Sequence, residues 1–165
     1  MDLSPEGLKF IKQSEGCSLH PYLDACGHLT IGYGHLILPE QMAAYRNGID
    51  MITAERLLKA DLKSVVAIVN HTAENLNQDQ FDALVSFVFN IGQAAYLRST
   101  LLRDLQSGKL NLVPDEMMRW IHNDYGKIVV GLMNRRAAEC KIWKGARFRN
   151  HVLDAYQFVR RGKSV

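Results

Sequence analysis

Apolar residues recur at three- and four-residue steps along most of this chain, yet between Pro21 and His35 that period stops. From His28 to Tyr33 the side chains alternate instead: Leu29, Ile31 and Tyr33 share one side, and His28, Thr30 and Gly32 the other. The tetrapeptide Asp24 to Gly27, DACG, carries turn chemistry just ahead of that alternation. One small antiparallel hairpin inside an otherwise helical pattern is the expected result, which makes the fold class α+β. Gly32 and Gly34 weaken a strand, so they point to close backbone approach by a packing neighbour or a ligand.

On either side of this window the helical signals are explicit. Ser4 suits an N-cap, Pro5 the first helical position and Glu6 the positive end of the dipole, and Leu3 with Leu8 have staple spacing. Leu8, Ile11 and Glu15 then fall on one face, so a helix over 4–14 delivers Glu15 to its end, with Gly16 as the stop. A long helix is expected from near Thr53, with Leu58, Leu62, Val65, Val66 and Val69 in helical register, acting as a connector. Asn77 and Gln80 form a capping box ahead of FDALVSFVFNIG, which is apolar nearly all round and belongs in the middle of a helical lobe. Shorter helices follow: STLLRDLQ to Ser107 and Gly108, a piece from Pro114 to near Trp120, NRRAAECKIWKG with a glycine stop, and NHVLDAYQFV; NDYGK between them reads as a loop. The chain is thus expected to be one domain over 1–165, with a β-containing lobe at 15–60 and a helical lobe of 70–165 plus helix 4–14.

Composition removes several classes. At 165 residues and 47% apolar content the chain supports a full core. No apolar run approaches the roughly 20 residues that span a bilayer. MDLSPEGLKF lacks the basic start and apolar block of a secretory signal, so folding in a cytoplasm is the default expectation. Cys17, Cys26 and Cys140 are too few for a disulfide framework and read as free thiols, with a Cys17 to Cys26 bridge as the minor alternative. The formal charge of +3 is unevenly placed: from Arg119 to Val165 eleven Lys or Arg face three acids, a balance of +8, leaving −5 for the preceding residues. A basic C-terminal third is either a solvated face or an attractor of polyanions.

Glu15 and Asp24 are the pair with chemical promise. A carboxyl at a helix C-terminus beside an apolar stripe has its charged form disfavoured by desolvation and by the dipole, whereas a carboxylate on an exposed turn stays ionised. Two carboxyls in such different settings are what acid-catalysed glycoside cleavage requires. Thr30, on the returning strand, is placed to share a water with Asp24. That suits single displacement if the carboxyls lie roughly 6.5 to 9.5 Å apart, and about 5 Å would favour the covalent route.

The spacing of these three residues within EG-x3-PYLDACGHLTIGYGH resembles the Glu-x8-Asp-x5-Thr signature of the phage-type lysozymes, a glycoside hydrolase family of endolysins. ITAERLLKADL, FNIG, the STLL run and GLMNRRAAE extend the resemblance over nearly the whole chain. It implies Glu15 as general acid, Asp24 as the carboxylate that activates water, and Thr30 as its partner in holding that water. The implied reaction is hydrolysis of the β-1,4 bond between N-acetylmuramic acid and N-acetylglucosamine in peptidoglycan, with inversion and without a metal or other cofactor. Leu36, Phe89 and Thr100 match positions expected to line a glycan cleft between the lobes. His35 is expected to pair with Asp61, and Arg135 or Arg136 to face the general acid. The resemblance further implies a monomer that accumulates in the host cytoplasm and reaches the periplasmic wall once a holin has permeabilised the membrane, for host lysis and phage release. Pro21, Cys17, Cys26 and a short segment before the connector helix depart from the family pattern.

Three rival readings follow from the same residues. Cys17, His20, Cys26 and His28 supply four zinc-ligand types, although the loop between the pairs is shorter than usual zinc spacing. The basic third suggests nucleic acid, yet Trp120, Tyr125, Trp143, Phe148, Tyr156 and Phe158 fall at helical core spacings and no reading motif accompanies them. Lytic transglycosylation would need one acid and no Asp24.

Overall fold

A computed structural model of the chain describes residues 1–24, 27–123 and 125–145. Its contacts divide into two units: Leu8–Ser64, and Met1–Gly7 together with the chain from Val65 onward. Helix α1 (Pro5–Glu15) is therefore shared between them, where the sequence placed all of it with the helical lobe.

α1 begins where Ser4 Oγ accepts the Gly7 N–H at 3.0 Å, and it ends at Gly16, whose φ of +71° is a left-handed stop. Phe10 and Ile11 are buried and set its rotation, leaving Glu15 half-buried at the last position. The sheet unit then lays down β1 (Ser18–Leu23), β2 (Leu29–Gly32) and β3 (His35–Leu36), antiparallel in the order β1-β2-β3. The single hairpin expected from the sequence is thus followed by a second. Gly34, at φ +91°, turns the chain so that His35 and Leu36 pair with Ile31 and Thr30. Being central, β2 buries Thr30, Ile31 and Gly32 in succession, so the alternation does not divide a wet face from a dry one. Ile31, Ile37 and Leu57 form the small core there, with Leu29, Tyr45 and Ile49 packed around it. Helix α2 (Met42–Tyr45) leads toward α3 (Met51–Thr72), which starts two residues before Thr53 because Asp50 Oδ1 caps it, accepting the Thr53 N–H at 2.7 Å.

In the helical unit α4 (Gln78–Ile91) opens on the Asn77–Gln80 capping box and buries every residue from Phe81 to Val88. Short helices α5 (Gln93–Leu97), α6 (Thr100–Gln106, capped by Ser99) and α7 (Val113–Met118) follow. Helix α8 (Val130–Trp143) packs on α4 and α7. It starts four residues before Asn134, since the His122–Ile128 bridge closes the preceding loop early. Tyr125, grouped above with core-spaced aromatics, is exposed in that loop, whereas Trp143 is buried and Trp120 meets Phe87 edge-on with ring centroids 6.0 Å apart. The expected NHVLDAYQFV helix, with Phe148, Tyr156 and Phe158, lies outside the described residues. No helix among the described residues is long and apolar enough to cross a membrane.

Candidate active site

The catalytic candidates of the sheet unit are assembled by local backbone chemistry. Asp24 follows β1 and closes the turn to β2: its N–H reaches His28 O at 2.9 Å, and its Oδ1 accepts the His28 N–H at 2.8 Å. Thr30 sits opposite Tyr22 in the β1–β2 register and is buried, with its hydroxyl donating to the same His28 carbonyl at 3.1 Å. The backbone of a single residue, His28, therefore ties the carboxylate through its N–H and the hydroxyl through its carbonyl. The second carboxylate oxygen of Asp24 lies 3.5 Å from His28 Nδ1. His28, which the rival zinc reading put among four possible ligands, serves through its backbone as the anchor of both groups. The signal available was an aspartate four residues before it across a glycine turn, where a side-chain oxygen can bond a backbone N–H.

The strand geometry also separates the zinc candidates. Cys17 stands at the Gly32 end of the β1–β2 ladder and His28 at the Leu29 end, with all of β1 between them, roughly 20 Å at about 3.3 Å per residue. They do not share a metal. Cys17 is an exposed free thiol, and Cys26 lies outside the described residues.

His35 and Asp61 meet as the sequence suggested, with Nδ1 3.0 Å from both carboxylate oxygens and the imidazole edge-on to Tyr45. This pair ties β3 to α3 within the sheet unit. Leu36, beside His35, leaves 48% of its surface exposed.

The remaining candidates belong to the helical unit. Phe89 is half-buried near the end of α4, and Thr100 is exposed at the first position of α6, its hydroxyl accepting from Arg103 at 2.9 Å. Arg135 and Arg136 are buried on α8 around one carboxylate, Glu139. Arg135 Nε lies 3.2 Å from Glu139 Oε1, and Arg136 reaches Oε1 at 3.0 Å and Oε2 at 2.6 Å. Ser86 of α4 donates to Glu139 at 2.7 Å and receives Arg135 at 3.3 Å, while the Arg136 guanidinium stacks over Phe87 at 4.9 Å. Burial works against the charge of both Arg136 and Glu139; the two arginines favour the Glu139 carboxylate, and Glu139 favours the Arg136 guanidinium while Arg135 opposes it. Glu139 and Ser86 were not foreseen, because nothing in NRRAAE or in the apolar α4 pattern says that they meet. The same burial takes two cations out of the basic surface expected for the C-terminal third. Nearby, Cys140 is pushed up to about 11 by burial, so its thiol stays protonated.

Comparison with known proteins decides what this arrangement belongs to. The family model described as Phage lysozyme matches residues 12–139. The chain belongs to the phage lysozyme family. Within it, the endolysin of Acyrthosiphon pisum secondary endosymbiont phage 1 is 37% identical over 153 residues, covering 88% of this chain and 100% of the relative. The endolysin of Bacillus phage PZA is 38% identical over 145 residues, 84% of this chain, and the match spans only 54% of that longer protein. Among solved structures, the endolysin from Escherichia coli O157:H7 phage FAHEc1 superposes with a TM-score of 0.79 at 35% identity, over 91% of this chain and 98% of that one. The muramidase domain of SpmX from Asticaccaulis excentricus gives 0.77 at 32% identity, over 86% and 97%. The lysozyme-like α+β fold expected from the sequence is the fold observed, and Glu15, Asp24 and Thr30 all lie inside the matched family region.

Proposed function

We propose that the chain is a peptidoglycan hydrolase that cleaves the β-1,4 bond between N-acetylmuramic acid and N-acetylglucosamine by a single displacement with inversion. The observation that carries this reading is the shared anchoring of Asp24 and Thr30 on His28. With its proton given to the His28 carbonyl, the Thr30 oxygen offers lone pairs; with Oδ1 held by the His28 N–H and Oδ2 beside the His28 imidazole, the Asp24 carboxylate is fixed next to it as a second acceptor. A water donating one hydrogen to each would be held with its own lone pair free for attack. Glu15 transfers its proton to the glycosidic oxygen as that bond breaks, the water oxygen bonds the anomeric carbon, and Asp24 takes the proton the water loses.

In this reading Leu36, Phe89 and Thr100 contact the glycan. His35 with Asp61, and the Arg135 and Arg136 pair, act as scaffold for the reacting groups. The enzyme works as a monomer, is made in the host cytoplasm and reaches the wall after a holin opens the membrane. The muramidase named in the SpmX domain and the endolysins among the relatives support the substrate class.

The test is wall clearing together with product chemistry. Glu15→Gln and Asp24→Ala are each expected to lose activity by at least about a hundredfold, the scale of losing an acid or base. The wild-type products should carry reducing ends of inverted configuration, read by NMR within the first minutes. Full clearing by Asp24→Ala, or products with an anhydro ring, would replace this reading with transglycosylation.

A further inference from the structure

A recess in the sheet unit is lined by none of the three catalytic candidates, although Lys12 stands one turn before Glu15 on α1. It encloses about 540 Å³ between Lys12 of α1 and the α3 residues Met51, Ile52, Glu55, Arg56, Lys59, Ala60 and Lys63. The charge here is concentrated. Residues 8–64 contain six Lys or Arg and six Asp or Glu, so the unit is neutral overall, yet four of those cations and one of those acids line this recess. Glu55 is already engaged, by Lys12 at 2.6 Å and Lys59 at 2.7 Å. Arg56 and Lys63 are exposed, and Arg56 also acts through its charge on Asp50 at the start of α3.

The geometry is that of an amphipathic stripe. Ile52, Arg56, Lys59 and Lys63 follow one another at helical steps along one side of α3, and Arg56 to Lys63 covers about 10 Å of axis. At the N-terminal end of the stripe Ile52 is 80% exposed and Met51 50%. A site for one small free anion needs no such row and no apolar end, and a soluble polyanion would leave Met51 and Ile52 in water. Headgroup phosphates over the cations, with Met51 and Ile52 entering the boundary beneath them, satisfy both parts.

We propose that this recess is a docking site for an anionic phospholipid surface. The lysine and arginine row meets lipid phosphates, Ile52 and Met51 anchor in the headgroup boundary, and Glu55 holds Lys12 and Lys59 in place. Its charge state is constant through the neutral range, because Lys12 and Lys59 keep the Glu55 carboxyl down at about 2.

Co-sedimentation of the full chain with vesicles of phosphatidylglycerol and phosphatidylcholine tests this, with pure phosphatidylcholine vesicles and soluble poly(glycerol phosphate) as further arms. The wild type should bind the anionic vesicles and leave the neutral ones. Arg56→Glu with Lys63→Glu should weaken vesicle binding at least about tenfold, from roughly fivefold per basic residue at an anionic surface. Ile52→Asn should weaken it severalfold and leave polymer binding unchanged. All three side chains are exposed, and the milder Arg56→Gln with Lys63→Gln repeats the reading if charge reversal impairs folding by circular dichroism. Absence of vesicle binding, equal binding to neutral vesicles, or binding that ignores these variants would overturn the proposal. So would a charge-dependent loss with no effect of Ile52→Asn, which would assign the recess to a soluble polyanion.

Discussion

The sheet unit and the helical unit hold their polar groups in opposite ways. In the first, Asp24, His28 and Thr30 are joined within seven residues of sequence by backbone hydrogen bonds around one turn. In the second, Ser86, Arg135, Arg136 and Glu139 meet across 49 to 53 positions in a buried cluster on two helices. A local arrangement costs little chain entropy, and here it leaves His28 exposed and Asp24 half-buried. A buried long-range cluster has lost its water, so its stability depends on every partner being present.

Removing the anion of the cluster should therefore have the largest effect. Glu139→Gln leaves two buried guanidiniums without a carboxylate, and about 3–5 kcal/mol of stability should go with it. Asp24→Ala, which loses one backbone hydrogen bond on a half-buried turn, should cost only about 1 kcal/mol. Urea unfolding of both variants measures the contrast, read as a shifted midpoint at unchanged slope. Equal costs would erase the distinction between the units.

Next in size is a steric test at the start of α1. Ser4 and Gln78 hold the Asp82 carboxylate against Gly7, and a Cβ there would sit 2.7 Å from Asp82 Cγ and 2.8 Å from Leu3 Cδ1. Alanine is favoured over glycine in a helix by about 1 kcal/mol, but forcing this contact costs about 1–3 kcal/mol. Gly7→Ala should accordingly lower the melting temperature. A raised one would mean that Asp82, held by bonds from 78 positions away, yields more easily than its partners suggest.

What was legible in the sequence follows the same division. The Ser4 and Asn77 caps, the Gly16 stop and the turn at Asp24 are local, and each appears where its residues stand. The third strand was missed because two residues, His35 and Leu36, are too short to show a period, and the start of α3 because Asp50 lies outside its apolar pattern. The common anchoring of Asp24 and Thr30 needed the β1–β2 register, which includes an irregularity between Ser18 and Tyr22 that no alternation reveals. The Glu139 cluster was out of reach altogether. A glutamate in a basic helical segment reads as solvated until α4 is laid on α8.

The smallest effect lies between these extremes, in an ion-pair group that is local along α3 yet also reaches α1. Two lysines hold the Glu55 carboxyl at about 2 against an ordinary 4.5, so folding favours the ionised form. A depressed carboxyl contributes its stability above the unfolded value and loses it as the pH falls through the folded one. The side chains are partly exposed, which limits the contribution to under about 1 kcal/mol and makes it sensitive to salt. Wild type and Glu55→Gln should therefore differ by a constant small amount from pH 7 down to about 5, and converge between about 4.5 and about 2. Unfolding curves at several pH values in low and high salt measure this gap. If it widened on acidification, or persisted at pH 2, Glu55 would be held by packing and the group would belong with the buried cluster on α8.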